Sequence, residues 1–319
     1  MVVDSTELVA DEVLAIDLVS PTGQSLPAWF PGAHVDVHLP SGLIRSYSLC
    51  GDVTNRSGYR VAVLHVHDGR GGSAEVHHLY GGGSRPAEHH RYLRISLPRN
   101  NFELVDAEQY LFIAGGIGIT PLLPMLEQVS AQGRRWRLVY GGRSMDSMAF
   151  RAVIERLQGG QVEFVPQDTR GLIDVAALFD TTPESAQIYV CGPPGLLDAT
   201  EGAARRTGAS ARLHLERFAA SADSSRPTTP NTEFEVELRR SGTTIHVGAE
   251  ETILQKVLEI HPGHPWSCEE GICGSCESTV LEGEVDHRDE ILTEEEMAAD
   301  DTMFICVSRC RGNRLVLDL

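Results

Sequence analysis

Cys268, Cys273 and Cys276 stand in the run CEEGICGSC with four and two residues between them, and Cys306 follows after 29 more. This is the C-x4-C-x2-C…C arrangement that holds a plant-type [2Fe–2S] centre. The spacing has a physical cause. Three thiolates from one tight loop must surround the cluster while backbone N–H groups turn inward to its sulfurs, and Gly271 and Gly274 allow the backbone angles this needs. A zinc site is the alternative, but zinc modules usually place two close cysteine pairs far apart, and only one CxxC exists here. Cys310 rivals Cys306 as the fourth ligand. Cys306 is preferred because it ends the apolar run 303–305, which leaves Cys310 as a spare thiol.

A second group of residues can hold nucleotides. In LFIAGGIGITPLLPML an apolar strand runs into Gly115, Gly116 and Gly118, and a helix is expected to begin near Thr120 with Pro121 in its first turn. Such a turn lets a dinucleotide approach the backbone and sets its pyrophosphate at the positive end of a helix. GGIGI is not GxGxxG, so by itself the signal is weak. The run IYVCGPPG would bring Cys191, Gly192 and Pro193 to the same carboxyl edge of a sheet, where ligands of open α/β folds bind. Alone, Cys191 reads equally well as a small buried apolar residue.

In RSYSL, a strand would put Arg45 and Tyr47 on one face, next to Ser48. Arg offers a forked donor for phosphate and Tyr a flat surface for an aromatic ring, the two groups that flavin mononucleotide (FMN) requires. In GRGGSAEV, Gly71 and Gly72 precede Ser73, which reads as the N-cap of a short helix. That helix start is a second anion cradle, although an ordinary turn and cap would look the same. The thirteen histidines form no HExxH or comparable ligand motif. Pairs such as His77/His78 and His89/His90 are expected in solvent, and none is assigned a role.

These residues need elements to position them. A length of 319 residues implies two or three domains. Up to about residue 103 the chain reads as β-rich. In PGAHVDVHLP, Val35, Val37 and Leu39 alternate with His34, Asp36 and His38, the pattern of a half-buried strand, and 59–66 adds another. Short strands between turns predict a small antiparallel barrel. From about residue 104, strands at 110–114, 137–140 and 187–190 alternate with helical stretches, which predicts a parallel sheet with crossover helices. The segment 219–231, AASADSSRPTTPN, has the composition of a flexible tether. It sets off a C-terminal module.

Composition narrows the function classes. Apolar residues make up 41% of the chain, and no stretch approaches the roughly 18 in a row that would cross a bilayer. The first twenty residues carry Asp4, Glu7, Asp11, Glu12 and Asp17 and no cation, unlike a secretion signal, so a cytoplasmic protein is expected. Seven cysteines in such a chain argue for metal binding over a disulfide framework. A net charge of −18 argues against nucleic acid as a partner. Residues 232–319 hold 20 Asp/Glu against 7 Lys/Arg, so −13 of that charge lies there. It is either a solvated surface or an electrostatic docking face for a redox partner.

RSYSL, GRGGS, GGIGITP, YVCGPPG, HLERF and the cysteine pattern occur here in the order found in the phthalate dioxygenase reductase family, which the chain resembles over nearly its whole length. That family includes vanillate demethylase reductases and the reductase domains fused to some cytochromes P450. The resemblance implies a multidomain protein: a flavin-binding β-barrel domain over 1–103, an α/β nicotinamide-binding domain over 104–219, a linker over 220–231, and a β-grasp plant-type ferredoxin domain over 232–319. It implies FMN over FAD, together with a [2Fe–2S] cluster and NAD(P)H. Arg45, Tyr47 and Ser48 would hold the flavin's ring and phosphate, with Gly72 and Ser73 capping that phosphate. Phe218 would cover the ring, and Glu216 looks like the acidic residue near it. Gly116, Thr120, Cys191, Gly192 and Pro193 would line the nicotinamide side, with Thr120, Cys191 and Glu216 nearest the chemistry. Arg143, in YGGRS, sits where such proteins contact the cofactor's ribose, which leaves NADH and NADPH both open. Cys268, Cys273, Cys276 and Cys306 would bind iron.

The implied parts fit one task. Hydride carries two electrons and an iron–sulfur cluster accepts one, so a flavin must stand between them. The expected function is that of an oxygenase reductase serving a Rieske-type aromatic oxygenase or demethylase, or a cytochrome P450. A non-enzymatic [2Fe–2S] carrier or sensor with vestigial flavin and nicotinamide domains is the alternative, against which the intact RSYSL and GGIGITP turns speak. A chain detached from a longer fusion is a third possibility.

Overall fold

Val2–Ala10 (β1) and Val13–Val19 (β2) form a hairpin closed by Asp11 and Glu12, with Glu12 at φ +60°. Gly58–Leu64 (β5) pairs with β2, and a second sheet places His34–His38 (β3) between Ile44–Ser48 (β4) and Arg94–Ile95 (β6). All pairings are antiparallel. Single bridges, Leu49 to Val61 and Val2 to Tyr92, join the two sheets at both edges and so close the barrel. Its interior is filled by Val3, Leu14, Ile16, Leu18, Val35, Val37, Val61 and Val63.

Two expectations are corrected here. The second strand stops at Leu64 and does not reach residue 66. More importantly, β3 is not half-buried: His34 and Asp36 are buried along with their apolar neighbours. Asp36 accepts from Arg99 at 2.6 Å and from the Ser46 hydroxyl at 2.7 Å, and these partners offset its desolvation.

The next five strands are Gln109–Gly115 (β7), Arg135–Gly142 (β8), Gly160–Pro166 (β9), Gln187–Cys191 (β10) and Leu213–Glu216 (β11). They are all parallel, in the order β11-β10-β7-β8-β9. β7 reads QYLFIAG, a continuous apolar run, as a strand covered on both faces must. The Ile119–Ala131 helix buries Leu122, Met125, Leu126 and Val129. Successive strands run outward on one side of β7 and then on the other, so the order reverses between β7 and β10. The carboxyl ends of those two strands therefore form the switch point, the place where ligands of open α/β sheets bind.

Met1–Phe218 is one compact unit, and Ala219–Leu319 is a second. In the second, Phe234–Leu238 (β12), Thr243–Val247 (β13), Glu277–Glu282 (β14), Thr302–Phe304 (β16) and Arg314–Leu317 (β18) form a mixed sheet in the order β13-β12-β18-β14-β16. Val285–Asp286 (β15) and Arg309–Cys310 (β17) make a small ribbon. The Ile253–Ile260 helix starts from a Thr252/Gln255 capping box and presents Ile253, Leu254 and Val257 to a core that includes Val236, Met303, Ile305 and Leu315. One helix against a mixed sheet is the β-grasp arrangement.

The computed structural model describes residues 1–82, 90–219 and 231–319. Of the expected linker 220–231, only Asn231 is therefore described, and His89 also lies outside. Among the described residues no helix is long and apolar enough to cross a membrane.

Candidate redox-cofactor sites

The cysteine loop is bent by three residues with positive φ: Glu269 at +60°, Gly271 at +72° and Gly274 at +77°. These bends turn the backbone N–H groups of Glu270 and Ile272 toward the Cys268 sulfur, that of Ser275 toward Cys273 and that of Gly271 toward Cys306. The sulfur of Cys268 lies against those of Cys273 and Cys306, and Cys306 also meets Cys276. All four are buried. Cys310 is buried too, but its thiol turns to the Arg314 carbonyl at 3.4 Å. Four soft thiol donors enclosed by inward amides suit a cluster whose sulfide bridges need hydrogen bonds. Gly271 is doubly required, since a Cβ there would lie 2.7 Å from Val307 Cγ2 and 3.0 Å from the Asp289 Cα. Glu269 and the amides are invisible to a search for ligands, because their identity matters less than their backbone.

Where the ends of β7 and β10 meet, the glycines have a role that spacing alone did not reveal. A Cβ on Gly118 would stand 2.2 Å from the Cys191 carbonyl oxygen, and one on Gly115 would stand 2.5 Å from Pro193 Cδ. Both glycines exist so that the two strand ends can touch. Gly116 differs, with φ +54° and open space where a side chain would be. The turn 116–118 is a single 3-10 turn, and the helix follows at Ile119, with Thr120 and Pro121 buried in its first turn. The Thr120 hydroxyl donates to the Ile117 carbonyl at 2.9 Å. After β10, Pro193 caps the Pro194–Thr207 helix directly after Gly192.

Cys191 is fully buried and sits in register with Glu216 on β11. Burial, then the nearby Glu216 charge, pushes the Cys191 thiol well above its ordinary range. Burial likewise pushes the Glu216 carboxyl up to about 8, and its Oε2 has no hydrogen-bond partner. A buried carboxyl with an orphaned oxygen at a strand end fits a group bound there. Phe218, two residues on, is 41% exposed.

On the barrel, Arg45 and Tyr47 share a face of β4 as expected from alternation, and Ser48 is buried. Arg45 donates to the carbonyls of Ile44 at 2.7 Å and Arg70 at 2.9 Å, which fixes its guanidinium over the 70–72 turn. A Cβ on Gly72 would fall 2.7 Å from Arg45 Cγ and Nε. Burial drives the Tyr47 hydroxyl far up. Ser73 is not the N-cap. That position is Gly71, at φ +83°, while Ser73 lies inside the Gly72–Tyr80 helix and accepts from the Val66 N–H at 3.0 Å. A forked cation beside a glycine-opened helix start fits a phosphate.

Arg143 follows β8 and is tied at 2.9 Å to Glu12, in the barrel hairpin 131 residues away. His77 is not simply solvated. It is half-buried, with Nε2 at 2.9 Å from the Val63 carbonyl, whereas His78 is exposed.

Comparisons with known proteins agree with this assembly. Residues 236–311 match the 2Fe-2S iron-sulfur cluster binding domain, and residues 112–202 match the oxidoreductase NAD-binding domain. The chain is 38% identical to vanillate O-demethylase oxidoreductase of a Pseudomonas species, over 100% of this chain and 99% of that protein. It is 35% identical to phthalate dioxygenase reductase of Burkholderia cepacia, over 99% and 95%. A solved phthalate dioxygenase reductase, described as modular for electron transfer from pyridine nucleotides to [2Fe–2S], superposes with a TM-score of 0.68 at 34% identity, covering 100% of this chain and 97% of that one. An intact type IV self-sufficient cytochrome P450 monooxygenase superposes with a TM-score of 0.88 at 41% identity, over 100% of this chain. The chain spans 40% of that longer protein.

Proposed function

The chain belongs to the phthalate dioxygenase reductase family, and from that premise we propose that it draws hydride from NADH or NADPH and delivers single electrons to an oxygenase. The observation that carries this reading is the set of four buried, mutually contacting cysteine sulfurs, held in a chain that also has a glycine turn at the strand reversal of its parallel sheet. When bound, FMN converts a two-electron donor into a one-electron source and the [2Fe–2S] cluster passes those electrons on.

The chain's own residues position these groups. Arg45, with the Gly72 and Ser73 amides, would hold the flavin phosphate; Tyr47, Ser48 and Phe218 would border the ring. Gly115, Gly116, Gly118, Thr120, Pro121, Cys191, Gly192 and Pro193 would form the nicotinamide wall, and Arg143 would reach the ribose. Glu216, with its carboxyl pushed up by burial to about 8, carries a proton at neutral pH and so would offer an uncharged O–H to a ring bound at this strand end. Cys191, kept protonated by burial, adds a small neutral wall. Cys268, Cys273, Cys276 and Cys306 would bind the two irons.

The acceptor is an oxygenase of one of two kinds, Rieske-type or cytochrome P450. The P450 reading is supported by the 41% identity and 0.88 TM-score with a reductase portion fused to such an enzyme. The vanillate and phthalate relatives support the other. Reconstituted protein should reduce ferricyanide and cytochrome c with NAD(P)H, and Cys273→Ser should abolish only the second. Cytochrome c reduction that survives loss of the cluster would overturn this route. Steady-state turnover with each oxygenase type then separates the partners.

A further inference from the structure

Glu12, His65 and His67 meet at the turn of the β1–β2 hairpin, and the carboxylate and imidazole ligand atoms all lie within 4.8 Å of one another. None of the three takes part in the proposed electron route. His65 and His67 flank a single residue after β5, and the His65 N–H donates to the Glu12 carbonyl at 2.8 Å, which holds the two segments together. Glu12 divides its carboxylate: one oxygen faces His67 Nε2, and the other accepts from Arg143 at 2.9 Å.

From this geometry we propose that Glu12, His65 and His67 form a binding site for one divalent transition-metal ion of the zinc class, with Arg143 orienting the Glu12 carboxylate from outside. Two imidazoles and a carboxylate are a ligand set that zinc accepts, with a fourth position left to water. Zinc ligands at about 2.0–2.2 Å from the metal stand roughly 3.4 Å from one another, so the Glu12 carboxylate and His67 Nε2, now in direct contact, must part while the wider separations, none above 4.8 Å, close. His67 can make that adjustment, because its side chain is 64% exposed. His65 is steadied by His77, whose ring stacks on it with centroids 4.9 Å apart. The Glu12 carboxyl is held below the usual carboxylate range by its hydrogen bond to His67 and then by Arg143. The Arg143–Glu12 bond is the kind of outer contact that fixes a metal-ligating carboxylate. Arg143 also brings a positive charge, which the Glu12 charge offsets.

The test is titration of zinc chloride into the intact flavin- and cluster-loaded protein, with iron content followed so that displacement from the cysteine loop is detected. The expected result is saturable binding of one equivalent with iron retained. Affinity should fall by at least the roughly 10–100-fold that loss of a supporting contact costs when His65 and His67 are both changed to Ala, with flavin and cluster absorbance unchanged. Cupric ion bound to the oxidised protein should show nitrogen coupling in its paramagnetic spectrum, lost in the same variant. Absence of a saturable site, equal affinity in the variant, or a copper spectrum without nitrogen ligands would overturn the proposal.

Discussion

Cys191 and Glu216 stand opposite each other at the ends of two adjacent parallel strands, and neither side chain carries charge at neutral pH. An acid with an ordinary value of 4.5 raised by burial to about 8 is a specific commitment. Between those values the folded chain holds a proton that the unfolded chain has lost. Glu216 therefore costs stability progressively as pH rises from about 4.5 to about 8, and adds no further slope beyond. Glu216→Gln, neutral at every pH, should remove that slope in thermal denaturation. It should also remove a decline in flavin reduction by NAD(P)H centred near pH 8, measured by stopped flow. An unchanged pH profile in the variant would show that Glu216 does not titrate there.

Gly118→Ala should separate the two strand ends. Its Cβ would collide with the Cys191 carbonyl, which belongs to backbone and cannot swing aside. A loss of about 1–3 kcal/mol in unfolding free energy is expected from such overpacking. Reduction by NAD(P)H should fail while dithionite still reduces the flavin. Full activity would mean that the turn relaxes freely.

Gly72→Ala tests the phosphate cradle. The added methyl would displace Arg45, and the FMN dissociation constant should rise by on the order of tenfold, the equivalent of about 1.4 kcal/mol. Flavin fluorescence on dilution measures this directly. Because Ser73 is engaged with the Val66 N–H and is not the cap, Ser73→Ala should cost less than Gly72→Ala.

The acidic 232–319 segment offers a choice that salt resolves. If it docks the acceptor, kcat/KM for a basic acceptor such as cytochrome c should drop by about tenfold or more between low and high ionic strength, as screening removes electrostatic steering. Reduction of ferricyanide should show no such loss. A flat salt response for cytochrome c would make that surface merely solvated.

How much of this was legible in the sequence depended on whether the cause was local. Three of the four candidate cysteine ligands and the two glycine bends among them follow from spacing within nine residues, the fourth, Cys306, from the apolar run it ends, and β4 follows from simple alternation. The strand–turn–helix at 109–131 was equally plain. Residues whose reason lies across the fold were misread or missed. His34 and Asp36 looked solvent-facing because nothing local announces Arg99, 63 residues away. Gly115 and Gly118 have a second requirement besides a ligand's, the close approach of the neighbouring strand end, which nothing local announces. The convergence of Glu12 with His65 and His67 needs a hairpin laid beside β5, which no short motif encodes. Ser73 was read as a cap because Ser is a favoured capping residue, but the positive φ of Gly71 moved the helix start back.

The central claim is that these four thiolates hold two irons at the end of a route that begins with nicotinamide. Anaerobic addition of NADH or NADPH to the intact protein, followed by freezing and low-temperature paramagnetic resonance, tests it most directly. The account predicts the signal of a reduced [2Fe–2S] centre with two irons per chain, lost in Cys273→Ser. A sample that carries zinc in the cysteine loop, or one whose signal persists in Cys273→Ser, would contradict it.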